Sequence, residues 1–164
     1  MRLSVFGFLV SLLAVPAAGW ADAGTEVDLK LFEKSEVDLS KGCSVALWQA
    51  TRDPAADKYA YIFVELLSGR DHARQPARIK IGNQAVTLRR VATGGKSAGY
   101  NLFEYQLYRM TGEAGHVVLE LKTGAEEGEA VDIESGTMVV AMRGKQVFRA
   151  SVKGGAGCMT PPAR

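Results

Sequence analysis

The chain has 164 residues and a formal net charge of +2, with 47% hydrophobic and 23% charged residues. That composition excludes a disordered chain and a polytopic membrane protein, and a charge so close to zero argues against a nucleic-acid partner. The length suits one domain with a single core.

The N-terminus departs from the average. Arg2 supplies a short positive start, Val5 to Val15 is an apolar run, and Pro16 ends it ahead of Ala17-Ala18-Gly19-Trp20-Ala21. This is the pattern of a secretory signal peptide, and the small residues Gly19 and Ala21 predict cleavage after Ala21, with Ala23 as the alternative. The run is shorter than the ~20 apolar residues that span a bilayer. No cysteine near the cleavage region accepts a lipid, so the mature chain is expected to be periplasmic or secreted, without a stable membrane anchor. The expected division is 1–21 signal peptide, 22–42 N-terminal arm, 43–158 β domain and 159–164 C-terminal tail.

In the arm, Val27, Leu29 and Leu31 alternate like a strand until the polar stretch Glu33 to Glu36 interrupts, which suggests pairing at a sheet edge. Ser44 to Thr51 is the first firm strand. It is apolar on both sides, Val45 and Leu47 against Ala46 and Trp48, as in a strand held between two layers. Asp53-Pro54-Ala55-Ala56 fits one capped helical turn. Lys58 to Leu67 has the strongest strand character, with Tyr59, Tyr61 and Phe63 assigned to one face and Ile62, Val64 and Leu66 to the other. Gly82-Asn83 joins Ile79–Ile81 to Val86–Leu88 as a hairpin.

Thr93 to Gly99 carries three glycines and reads as a flexible loop. Tyr100 to Met110 alternates, with Phe103, Tyr105 and Leu107 assigned inward and Leu102, Glu104 and Gln106 to the wet side. Val117, Leu119 and Leu121 point inward on the next strand, Ala125 to Glu129 is an acidic turn, and Val131 and Ile133 form a short strand. Met138 to Cys158 closes the chain as a hairpin about Gly144. Eight or nine short strands at intervals near ten residues define an all-β, single-domain antiparallel sandwich or barrel.

The chain has two cysteines, Cys43 and Cys158. In an exported protein they are expected to form one structural disulfide that closes the domain, and two distant cysteines do not make a metal site. No cofactor is expected. His72 and His116 stand on different elements and read as ordinary surface residues. Gly94-Gly95-Lys96-Ser97 lacks the earlier glycine of a phosphate loop and reads as a hairpin loop. Asp53, Asp57, Glu65 and Glu104 lie near strands and are the candidates for a carboxylate pair. Glu65 alone interrupts an apolar strand, which most often marks an edge, a solvent face or a paired charge.

Charge is unevenly spread. Arg70 to Lys96 holds seven basic residues against Asp71 alone, Glu113 to Glu134 holds seven acids against Lys122 alone, and the last hairpin is basic again. Either these segments neutralise one another across the sheet, or they form separate patches that meet a partner.

The layout of export signal, small all-β domain and one long-range disulfide resembles that of periplasmic lysozyme inhibitors and similar envelope binding modules. The resemblance covers size and architecture and assigns no functional residue. The function expected is non-catalytic binding of an envelope or host protein, or of a cell-wall glycan, through the loops around Arg70–Arg78 and Gly94–Gly99. Arg70, Arg74, Arg89, Arg90 and Lys96 are the candidate binding residues. The alternatives are an envelope-polysaccharide enzyme with paired carboxylates, a lysozyme-inhibitor-like protein and a structural assembly factor.

Overall fold

The computed structural model describes residues 24–39, 42–68, 73–74, 76–128 and 130–159, so the expected signal peptide lies outside the described residues. Eight antiparallel strands form a closed barrel: β1 Gly42–Gln49, β2 Tyr59–Ser68, β3 Ala77–Ile81, β4 Gln84–Ala98, β5 Leu102–Met110, β6 Gly115–Glu127, β7 Ala130–Met142 and β8 Phe148–Met159. Each pairs with its neighbours in the chain, β8 pairs with β1, and Val64 of β2 meets Arg78 of β3. The topology is a simple meander, which decides between sandwich and barrel. Closure gives every strand a partner on both sides over at least part of its length, which limits the edge open to association in a β protein of this size.

Cys43 and Cys158 face each other across the β1–β8 seam and are bonded, 115 positions apart in sequence. The bond therefore joins the two strands that are furthest apart in the chain and adjacent in space.

The interior is packed. Leu47, Ile62, Phe63, Leu88, Tyr108, Leu119 and Met138 have no exposed surface, and Val117, Leu119 and Leu121 point inward as expected. On β2 the expected alternation breaks. Leu47 pairs with Phe63 and Trp48 with Tyr61, so Ile62 is an extra residue in the ladder and both Ile62 and Phe63 reach the core. A bulge of this kind bends the strand and re-aims one side chain. The outward Val64, with Tyr61 and Leu66 around it, is covered by Phe32 and Val37, which explains why this strand is apolar on both faces.

The N-terminal segment pairs with the barrel strands, as its alternation suggested. Thr25–Glu26 pairs with Lys145–Gln146, Leu29–Lys30 with β3 and Phe32–Glu33 with β2. Val27 is buried and Leu29 and Leu31 pack against the core, so the segment closes one end of the barrel. A short 3₁₀ turn, Lys34–Glu36, is held by Lys80, whose Nζ donates to Glu36 Oε1 at 2.6 Å and Oε2 at 2.9 Å.

Three other expectations are corrected. The stretch from Thr93 to Gly99 is not a flexible loop: residues 93–98 belong to β4, which pairs with β5 as far as Ala98 opposite Leu102, with irregularities at Arg90/Ala92 and Gly94/Ser97. Gly95 takes φ +74°, and a Cβ there would collide with Glu104 and Tyr105, so this glycine serves a bulge and a close approach. On β5 the faces are reversed: Leu102, Gln106, Tyr108 and Met110 are buried while Tyr105 is exposed, because Gln106 finds polar partners inside the barrel. Val131 and Ile133 belong to the single long strand β7, irregular between Ile133 and Gly136. The Asp53 turn forms as expected, its Oδ1 accepting from Ala55 N–H at 2.8 Å.

Candidate functional site

Two features of the barrel have chemical character. The first is internal. Glu65 on β2 and Gln106 on β5 are each 2% exposed, and Tyr108 has no exposed surface. The Tyr108 hydroxyl lies 3.0 Å from Glu65 Oε2 and 3.2 Å from Gln106 Oε1, and it has one proton to donate between them. Arg90 Nη1 donates to Gln106 Oε1 at 3.2 Å and to the Asn101 carbonyl at 2.8 Å, with its guanidinium 5.6 Å from the Phe103 ring. Gln106 Nε2 is buried with no hydrogen-bond partner. Buried amides are almost always satisfied, so an orphan donor here is exceptional.

The second feature is external. A groove of about 540 Å³ runs along the outer wall where β4 to β7 meet, with Val91, Leu107, Ala141 and Met142 on its floor and Arg109, His116 and Arg143 on its rim. Strand register builds it. Arg89 lies opposite Arg109, and Arg109 opposite His116, which puts two guanidiniums and an imidazole in one row across three strands. In the next row Ala92 pairs with Leu107, Leu107 with Val118, and Val118 with Val139. Among the described residues the ion pairs are Lys30–Asp28, Arg52–Asp57, Lys58–Glu33, Lys80–Glu36 and Lys122–Glu134, so the row is unneutralised. The registers that bring Arg89 and Arg109 together place no carboxylate opposite either.

The residues singled out in the sequence are dispersed by the fold. Arg70 and His72 lie outside the described residues. Arg74 is on the two-residue strand Ala73–Arg74, paired with Leu67 and Ser68 at the end of β2. Lys96 is exposed on β4, its backbone N–H donating to Glu104 Oε2 at 3.3 Å. Arg90 is half-buried and engaged with Gln106 and Asn101. Arg89 is the one candidate that lies in the exposed row. Arg109, His116 and Arg143 were not among the candidates: Arg109 and His116 each stand alone in their segments, Arg143 belongs to the basic last hairpin, and only register brings the three together. Among the described residues no three His, Cys, Asp or Glu side chains form a group able to hold a metal ion.

A further groove, of about 400 Å³, is lined by Glu104, Glu120, Lys122, Ser135 and Thr137. Tyr105 stands directly opposite Glu120, and Glu104 first, then Glu120, push its phenol above the ordinary value.

Fold and sites together define a disulfide-closed meander barrel with a polar array inside and a cationic groove outside. No known family, curated protein or solved structure matches the chain.

Proposed function

We propose that this is an exported, non-catalytic binding module of the bacterial envelope that engages an acidic protein segment in the groove lined by Arg109, His116 and Arg143, with Arg89 alongside Arg109. The carrying observation is the cationic row beside an apolar floor, with no carboxylate set against it among the described residues. Like charges placed side by side on adjacent strands cost stability, and a partner's carboxylates relieve that cost. An acidic protein segment with apolar side chains fits both parts of the groove. A glycan fits less well, since sugar rings stack on exposed aromatic faces and the aromatic that lines the groove, Tyr108, is buried. Export is supported by the signal-like first 21 residues and by a disulfide, which persists outside the reducing cytosol.

The test uses an alternating Glu/Leu dodecapeptide as probe, with a cell-wall oligosaccharide as comparison, measured by calorimetry at low and high salt. Binding of the peptide should weaken by about tenfold or more in an Arg89→Glu/Arg109→Glu double variant, equivalent to roughly 1.4 kcal/mol, and should fall with added salt. Oligosaccharide binding that survives the charge reversal, or peptide binding indifferent to it, overturns the assignment.

A second reading rests on Glu104 and Glu120 sharing one groove. Paired carboxylates are the apparatus of glycoside hydrolysis. It requires release of reducing ends from envelope polysaccharide that Glu104→Gln and Glu120→Gln each abolish, and no turnover by the wild-type protein dismisses it.

A further inference from the structure

One end of the barrel is closed by the N-terminal segment and the other by the tip of the β4–β5 hairpin. The hairpin overshoots the wall: β4 leaves β3 at Leu88, and residues 89–98 pair with β5 alone. Two irregularities and the positive φ of Gly95 bend it, and its tip, Gly99–Asn101, packs against β7 and β8 across the mouth. Tyr100 and Asn101 at the tip both take left-handed conformations, φ 61° and 56°. For a tyrosine that conformation is costly and persists only where the surroundings impose it. Tyr100 is 8% exposed and belongs to the core cluster, so its ring is the stopper.

Arg90 is the latch. Its Nη1 reaches down to Gln106 Oε1 and up to the carbonyl of Asn101 in the tip. One guanidinium nitrogen therefore touches both the stopper segment and the buried amide, which places Gln106 directly beneath the tip. Beneath it lie Tyr108 and Glu65, set in the apolar core of the barrel. Gln106 Nε2 is left with both its protons unused in the barrel interior. An unmet buried donor costs about 1–3 kcal/mol, and eight-stranded barrels of this size hold side chains or one small ligand.

We propose that the hairpin tip is a lid over a ligand site in the barrel mouth, and that the ligand is a small, ring-sized apolar molecule with one acceptor oxygen. In the closed form Tyr100 occupies the site. On binding, the ligand takes the place of the tyrosine ring, its oxygen accepts from Gln106 Nε2, and the lid swings about Gly94–Gly95. This site is separate from the outer groove and stands or falls independently of it.

The probe is 4-fluoroacetophenone, a ring with one carbonyl acceptor, followed by ¹⁹F NMR on the full mature chain with its disulfide intact. Tyr100→Ala removes the stopper and should tighten binding by about tenfold over wild type. Adding Gln106→Met, which keeps the volume and removes the donor, should return about tenfold. Arg90→Met keeps the stem of the side chain, leaves Gln106 Oε1 the Tyr108 hydroxyl as a donor, and should tighten binding severalfold by releasing the latch, so the test survives if Tyr100→Ala does not fold. Affinity unchanged by both Tyr100→Ala and Arg90→Met, affinity indifferent to Gln106→Met, or binding lost on Leu107→Asp in the outer groove would each overturn the proposal.

Discussion

Glu65 and Glu36 are carboxylates in opposite circumstances, and each has a measurable consequence. Glu65 sits in the core with the Tyr108 hydroxyl 3.0 Å from its Oε2. Tyr108→Phe keeps the ring edge-on to Phe63 and removes only that donor. The variant should lose about 1–3 kcal/mol in a urea titration, the cost of a buried group deprived of a partner. Glu36 is at the surface, where the Lys80 ammonium, and then the Glu33 N–H, hold its carboxyl below the usual 4.5. A carboxyl lowered in the folded state contributes stability that is present above its unfolded value and is lost as pH falls through the folded value. The urea midpoint of wild type should therefore exceed that of Lys80→Met at pH 6, and the gap should shrink below about pH 4. A gap that stays constant down to about pH 2.5 would show that the pair contributes nothing through Glu36 ionisation.

Among the elements, β8 depends most on its smallest residues. Gly154 lies opposite Leu47 of β1, and a Cβ there would meet the Ala46 carbonyl oxygen and the Leu47 side chain. Gly154→Ala should cost about 1–3 kcal/mol through overpacking against backbone that has nowhere to move. Gly128→Ala, at φ +60° with open space around it, tests a different effect: the penalty is conformational alone, about 1 kcal/mol. The two thermal melts should rank in that order. The same distinction separates the glycines near Gly95 from a flexible loop. Gly94 and Gly95 sit in a paired strand, where close approach of Glu104 and Tyr105 excludes a larger side chain at Gly95, whereas in sequence a glycine run carries only the signature of permissiveness.

For the whole molecule, the seam between β1 and β8 is where closure is decided, and the Cys43–Cys158 bond spans it. Constraining a loop of this length lowers unfolded-state entropy by about 4–5 kcal/mol in the chain-entropy account. A Cys43→Ser/Cys158→Ser variant should lose at least about 2 kcal/mol and several degrees in Tm, while an unchanged melt would place the seam's stability wholly in its backbone ladder. What the amino-acid order determined by itself was local: strand segments with inward Val117, Leu119 and Leu121, hairpins at Gly82-Asn83 and Gly144, and two cysteines with one possible pairing. Those features depend on side-chain shape and turn chemistry within a few residues. Barrel rather than sandwich, the inward face of β5, the row Arg89–Arg109–His116 and the meeting of Arg90, Gln106 and Tyr108 were decided by tertiary structure. Each depends on strand register, and a one-residue slip or a bulge such as that at Ile62 reverses the faces of everything beyond it.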